Sequence, residues 1–205
     1  MAQQPTAALG VAPATRFDPL GPFVTYGRTV VAVVNGPAPF FRDQALRHPT
    51  APVTPSLVFA LASIGLSTLV GWLLGAAVPS MALATYSNVL LCAVIGGALT
   101  LGPGSILVHL LVKLLVPGHK GYRFTLRALA YSQVAALAAC LPGAGGASVL
   151  GAVGLSIVGV REVHQTTPGR AAVVVLVPAT LLGLLELTSA AVWFIVAFSN
   201  PSWQQ

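Results

Sequence analysis

Charged side chains are scarce in this chain of 205 residues: only 7% are Asp, Glu, Lys or Arg, whereas 56% are hydrophobic. A soluble domain usually carries charge on about a quarter of its residues. Such a small polar surface cannot cover a folded chain in water, and apolar runs of membrane-spanning length recur along the sequence. The composition therefore excludes a soluble globular protein and predicts an integral membrane protein.

Acidic residues are the rarest charged type, with four in the whole chain. Metal-dependent chemistry on phosphates or glycans needs carboxylate ligands, which are nearly missing here. The sequence also lacks a Gly-rich phosphate loop ahead of a helix and any zinc-ligand spacing. Ser105 and His109 share a helix face as a nucleophile and base would, but no orienting acid or oxyanion-hole motif accompanies them. We therefore predict no enzyme activity, no metal and no cofactor.

The Lys and Arg residues number ten and give the chain a net charge of +6. A nucleic-acid surface needs clustered cations, because binding draws on the release of counter-ions from phosphates. Here the cations are spread between apolar segments, without interleaved exposed aromatic residues. We predict no nucleic-acid partner and attribute the cations to membrane topology.

The apolar segments predict an all-α membrane protein with five transmembrane helices. As a helix, the second apolar segment, residues 81–116, would be about 54 Å long. That is too long for one straight crossing of a ~30 Å core and too short for two crossings with a turn. Gly102-Pro103-Gly104 is therefore interpreted as a kink within a single span. The five predicted spans are residues 57–78, 81–116, 124–141, 147–160 and 171–198.

The positions of the cations predict the orientation of these spans. With the N-terminus inside, all ten Lys and Arg residues fall in or beside the cytoplasmic segments, and the outer segments have none, as the positive-inside rule requires. The N-terminus is thus predicted to be cytoplasmic and the C-terminus outside. Residues 1–28 are expected to form a disordered cytoplasmic tail, residues 29–198 the membrane domain, and residues 199–205 a short outer tail.

The segment before the first span is predicted to lie at the membrane interface. In Thr29–Arg47, a short apolar run and a Gly-Pro break are followed by Phe40, Phe41 and Arg42. Aromatic rings favour the headgroup level of a bilayer, and Arg favours anionic lipid. We interpret the segment as an interfacial N-terminal helix, with a plain loop as the alternative.

Glu186 lies near the middle of the last predicted span. A carboxylate at this depth costs about 2.5 kcal/mol or more, so it marks either a packing hydrogen bond or a functional site. The predicted intramembrane polar partners on other spans are His109, Tyr131, Ser132 and Gln133. A protonated glutamate that fixes helix packing and a proton-coupled binding role both remain open.

The hairpin formed by the third and fourth spans has basic sequence at both ends. Arg127 and Tyr131 lie one turn apart, as do Arg161 and His164, and Arg170 closes the loop that follows. If both ends are cytoplasmic, these residues can form one patch for contact with a protein partner or lipid. Cations that only set topology and bind headgroups are the alternative.

The sequence of this hairpin resembles that of the Yip membrane-protein family, named for interaction with Ypt/Rab GTPases. The resemblance rests on YRFTLRALAYSQ at Tyr122–Gln133, CLPGAGG at 140–146, GVREVHQTTPGRA at 159–171 and GPAPFFRD at 36–43, and it covers roughly residues 30–197. It implies five spans, a cytoplasmic N-terminus and no enzyme activity. The Ala/Gly/Val-rich, Lys-poor composition is typical of a bacterial member, placed in the cytoplasmic (inner) membrane.

The function expected from the sequence is that of a non-enzymatic membrane-organising or partner-binding accessory subunit. Its partners would be the lipid bilayer and a protein at the cytoplasmic face, and a second copy of the chain is a further candidate. The alternative is a small permease or transporter subunit that uses the polar residues around Glu186 as a pathway.

Overall fold

The computed structural model describes residues 22–77, 94–141 and 144–199, and all regular structure in these ranges is helical. The helices are α1 Pro22–Asn35, α2 Pro37–Arg47, α3 Thr54–Ala77, α4 Val94–Leu115, α5 Tyr122–Ser132, α6 Gly145–His164 and α7 Pro168–Ser199. Helix α4 contains a π-helical turn at Thr100–Gly104, and α5 continues as a 3₁₀ helix over Gln133–Cys140.

Four stretches of helix are long and apolar enough to cross a membrane: Thr54–Leu74, Val94–Leu115, Gly145–His164 and Pro168–Leu185. They correspond to the first, second, fourth and fifth predicted spans. The third predicted span is not among them, because its α-helix has 11 residues, two of them arginines, and then tightens into the 3₁₀ form. The molecule is thus a helical, multi-pass membrane protein.

The predicted kink in the second span is confirmed. Gly102 has non-helical backbone angles (φ −84°, ψ −105°) one residue before Pro103, which cannot continue the hydrogen-bond ladder of the helix. Ser105 binds the freed backbone here, since its hydroxyl lies 2.6 Å from the carbonyl oxygen of Leu101 and 2.8 Å from that of Gly102. Residues 81–93, expected to begin this span, lie outside the described ranges.

Helices α5 and α6 form the centre of the fold, because both contribute to each of the two hydrophobic cores. Gly159 on α6 permits their close approach: a Cβ there would come within 3.1 Å of the Ala128 Cβ and 3.2 Å of the Phe41 ring. The first core joins α1, α2, α3, α5 and α6 through Val33, Phe40, Phe41, Ala45, Phe59, Ala128, Tyr131, Val134 and Val163. The second joins α4–α7 through Val108, Val112, Val116, Leu129, Val160, Ala171, Val174 and Val175.

The N-terminal region differs from the prediction in two respects. Residues 22–28, assigned to a disordered tail, are helical, and Gly36 divides the expected single helix into α1 and α2. Residues 1–21 of the predicted tail and residues 200–205 of the predicted outer tail lie outside the described ranges.

Phe40 and Phe41 are buried, with exposed fractions of only 2% and 1%. The prediction that they contact lipid or a partner is therefore corrected: α2 turns both rings into the first core. The two apolar environments, lipid and protein interior, attract the same side chains, and tertiary packing favours the interior here.

Candidate functional site

An ion cluster joins α2 to the end of α6. The carboxylate of Glu162, only 6% exposed, lies 2.8 Å from Nη2 of Arg42 and 2.9 Å from its Nε. Arg161 approaches the same carboxylate from its own helix at 3.6 Å. One nearly buried negative charge therefore meets two largely exposed guanidinium groups, and the cluster keeps a net positive charge at the protein surface.

Arg127 belongs to the packing between α2 and α5 and not to an open surface. It is 4% exposed, its Nη1 donates to the carbonyl oxygen of His48 at 2.9 Å, and its guanidinium lies 4.7 Å from the ring centre of Phe124. A cation over an aromatic ring is stabilised, most strongly when both are desolvated. The predicted contact of Arg127 with a partner is corrected accordingly, because this side chain attaches the end of α2 to α5.

A small cavity beside Arg127 has room for about one water molecule. The amide nitrogen of Gln44 is buried in this region without a protein hydrogen-bond acceptor. A single buried water would satisfy it. The cavity is lined by Phe41, Gln44, Ala45, Phe124, Arg127, Ala128, Tyr131 and Val163.

Tyr131 packs inside an aromatic cluster instead of contacting the surface. Its ring centre lies 5.0 Å from that of Phe40 and 5.3 Å from that of Phe59, and the Phe59 ring in turn lies 5.1 Å from Tyr26. Edge-to-face and tilted pairs at these separations are favourable beyond simple burial. The sequence prediction that Tyr131 forms a partner-binding patch is therefore corrected: it connects α2, α3 and α5.

Tyr26 connects α1 to the middle of α3. Its hydroxyl lies 3.0 Å from Oγ of Ser63, whose own proton goes to the carbonyl oxygen of Phe59. The Tyr26 hydroxyl is therefore the donor of the pair. Burial raises the pKa of Tyr26 above its usual value, which keeps the hydroxyl protonated.

His164 is buried and does not face outward with Arg161. Its Nδ1 accepts from the backbone N–H of Lys120 at 3.1 Å, and its Nε2 lies 3.0 Å from Oγ1 of Thr125. The same Thr125 oxygen lies 3.0 Å from Nδ1 of His109. These four residues, here called the histidine chain, connect the loop at 116–121 with α6, α5 and α4.

Ser105 and His109 do not form the nucleophile–base pair that their spacing allows. The Ser105 hydroxyl bonds to carbonyl oxygens of its own helix and lies 2.7 Å from the hydroxyl of Tyr122, while Nδ1 of His109 bonds to Thr125. The two side chains are thus held by different partners. Within the described ranges, no three His, Cys, Asp or Glu residues are grouped to hold a metal ion.

The predicted intramembrane polar set is only partly visible. Ser132 and Gln133 are buried, and the Ser132 hydroxyl donates to the carbonyl oxygen of Ala128 on its own helix at 2.8 Å. Glu186 belongs to α7, but its side chain lies outside the described part of the structure. His109 is engaged by Thr125, as described above.

Arg170 is exposed in the first turn of α7, as a residue that contacts lipid or a partner must be. Sequence reasoning did not identify Thr125, Lys120 or Glu162 as site residues. No spacing rule could have found them, because residues 109, 120, 125 and 164 meet only after three helices and a loop have packed.

The chain matches no protein-family model, and neither the curated proteins nor the solved structures include a significant match.

Proposed function

We propose that this chain is a non-enzymatic, five-span membrane protein of the Yip type, which serves as a membrane-organising or partner-binding accessory subunit in a bacterial cytoplasmic membrane. The observation that carries the proposal is the meeting of the basic segments at one end of the bundle. Arg42 of α2 reaches Glu162 at the end of α6, Arg127 reaches the end of α2, and the Lys120 amide reaches His164.

A fifth span is supported by the length of the central segment. An α-helix rises 1.5 Å per residue and a 3₁₀ helix about 2.0 Å. The 11 residues of α5 and the 8 residues of its 3₁₀ continuation therefore extend roughly 33 Å. That length matches a hydrocarbon core of about 30 Å. Its two arginines lie in the first half, near the proposed cytoplasmic end.

The orientation is supported by which segments touch. The three segments proposed as cytoplasmic are the region before α3, the loop at 116–121 and the end of α6 with the turn after it. They are connected by the ion pair and hydrogen bonds above, although they are far apart in sequence. A single cytoplasmic end accounts for both these contacts and the positive-inside pattern.

An interfacial position for the N-terminal helices is supported by α1 and not by the phenylalanines. Val24, Val31 and Val34 are more than half exposed and lie on one side of α1, beside the exposed Arg28. An apolar stripe next to a cation fits the boundary between acyl chains and headgroups. α2 adds the exposed Leu46 and Arg47 to the same hairpin.

The proposed partner surface consists of the exposed residues at this end: Arg42, Leu46, Arg47, Arg161 and Arg170. A photo-crosslinking amino acid at Leu46 tests it in cells, with the same group at Leu150, an exposed position near the other end of α6, as the matched control. We expect discrete protein adducts from position 46, weakened by Arg170→Gln, and lipid adducts alone from position 150. Identical adducts from both positions would contradict partner binding at this surface.

The second candidate, a small permease, is favoured by one observation. The histidine chain places hydrogen-bonded polar side chains between otherwise apolar helices, as a polar pathway would. A permease predicts pH-dependent flux in reconstituted vesicles that Glu186→Gln abolishes. If the protein is an accessory subunit, neither the wild-type protein nor Glu186→Gln should show flux.

A further inference from the structure

The histidine chain contains one donor whose direction cannot change. The backbone N–H of Lys120 can only donate, so Nδ1 of His164 must be unprotonated to accept it at 3.1 Å. Gly118 in the loop adopts the left-handed backbone conformation (φ +68°). The tight turn at this glycine brings the Lys120 amide close to α6. This fixed bond determines where a neutral His164 carries its proton.

With Nδ1 accepting, a neutral His164 carries its proton on Nε2 and donates it to Oγ1 of Thr125 at 3.0 Å. The Thr125 hydroxyl proton is then free to go to Nδ1 of His109, also at 3.0 Å. If it goes there, His109 carries its proton on Nε2; if the Thr125 oxygen instead accepts from both imidazoles, Nδ1 of His109 carries the proton. In both arrangements His164 is neutral, with Nδ1 accepting from Lys120 and the proton on Nε2.

A second proton on His164 must bind Nδ1, where it would point at the Lys120 N–H. Two donors would then face each other, and the bond between the loop and α6 would be lost. The loss follows from the geometry alone and needs no change elsewhere in the fold.

The charges around His164 do not offset such a proton. Lys113 and His109 on α4 and His119 and Lys120 in the loop act on the chain, and all of them are cationic or become so on protonation. The one carboxylate nearby in sequence, Glu162, is held by Arg42 and Arg161. Tyr122 on α5 lies beside His109, with 5.4 Å between the ring centres, and Asp43 on α2 is paired with Arg47.

We propose that His164 is a proton-binding site that releases the loop at 116–121 from α6 when the pH falls. The neutral imidazole of His164 accepts the hydrogen bond from the loop. The imidazolium repels both the backbone N–H and the side-chain ammonium group of Lys120. The loop is bonded to the last turn of α6, which also contains Glu162 of the ion pair with Arg42. Acidification would therefore alter the same end of the bundle that is proposed to bind a partner. The site rests on hydrogen-bond geometry and stands whether or not that proposed function is correct.

The first test is the tautomer of His164, read from imidazole nitrogen chemical shifts of the full chain in lipid nanodiscs at about pH 7.5. We expect the proton of His164 on Nε2. A proton on Nδ1 of His164 at neutral pH would overturn the proposal, because the Lys120 amide would then have no acceptor.

The second test is amide exchange of the loop between about pH 7.5 and about pH 4, a range that extends below the ordinary histidine pKa of about 6.5. Corrected for the intrinsic pH dependence of exchange, protection at Lys120 should fall about fivefold or more, as expected for the loss of one hydrogen bond. The matched variant is His164→Asn, whose amide oxygen can accept the same N–H but does not titrate.

In His164→Asn we expect the protection at Lys120 to be retained and no longer to depend on pH. Unchanged protection in the wild-type protein across the range would overturn the proposal. An equal loss of protection in both proteins would overturn it too, since the titrating group would then lie elsewhere.

Discussion

Arg42 and Glu162 form an ion pair across 120 positions of the chain, with 2.8 Å between Nη2 and Oε2. The arginine is 60% exposed, whereas the glutamate is 6% exposed. The two partners are therefore solvated differently: the guanidinium group of Arg42 reaches solvent, whereas the nearly buried carboxylate of Glu162 depends on that cation for neutralisation.

Removing the cation should therefore be more harmful than removing the carboxylate charge. We expect Arg42→Gln to destabilise the protein by about 1–2 kcal/mol, below the 3–5 kcal/mol of a fully buried pair because the arginine is well solvated. Glu162→Gln should cost less, since no buried charge is left behind. Thermal unfolding in detergent measures both.

The matched control is Arg47→Gln, which removes a partner from the exposed i,i+4 pair with Asp43 on the same helix. Such a pair contributes about 0.3–0.5 kcal/mol. Equal effects at Arg42 and Arg47 would show that burial of Glu162 is unimportant.

Replacing Arg127 should destabilise the protein more than replacing Arg123, the other arginine on α5. Arg127→Lys loses the planar stacking on Phe124 and the directed bond to the His48 carbonyl, so we expect a loss of about 1–3 kcal/mol. Limited proteolysis between α2 and α3 should become faster, because the end of α2 is no longer attached. Arg123→Lys, at an exposed position one turn earlier, should change neither quantity.

Two glycines on α6 should respond in opposite ways to the same substitution. A Cβ at Gly159 would contact Ala128 and Phe41 at 3.1–3.2 Å, whereas a Cβ at Gly154 meets nothing within 4 Å. We expect Gly159→Ala to lower the unfolding temperature. Gly154→Ala should leave it unchanged or raise it slightly, because Ala favours helix over Gly by about 1 kcal/mol. A drop of the same size in both variants would contradict close α5–α6 packing at Gly159.

Ser105 should be inert toward a fluorophosphonate probe. Its hydroxyl proton is donated within its own helix, Tyr122 is positioned to donate to its oxygen, and His109 is engaged by Thr125, so no base is available to activate it. We expect no labelling of the purified protein under conditions that label a serine hydrolase. Covalent modification of Ser105 that Ser105→Ala abolishes would reopen the hydrolase interpretation.

Some features of the fold and of the candidate site could be predicted from the sequence, and others could not. The GPG kink follows from the chemistry of Pro103, which lacks an amide donor whatever surrounds it. The inward position of Phe40 and Phe41 does not follow, because a phenylalanine pair beside arginine is equally suited to an interface and to a core. The histidine chain depends on four residues whose order along the sequence carries no sign that they meet.

The sequence by itself determined the membrane class, the helical content, the kink and the four helices that are long and apolar enough to cross, because these depend on local apolar length and on backbone chemistry. The tertiary structure alone decided which side chains face protein. Lipid tails and a protein interior are equally apolar, so hydropathy cannot distinguish the buried face of a helix from its lipid-exposed face. Packing made that choice: it buried Tyr131 and Arg127 and left the valines of α1 exposed. It also brought His109, Thr125 and His164 into one hydrogen-bonded chain.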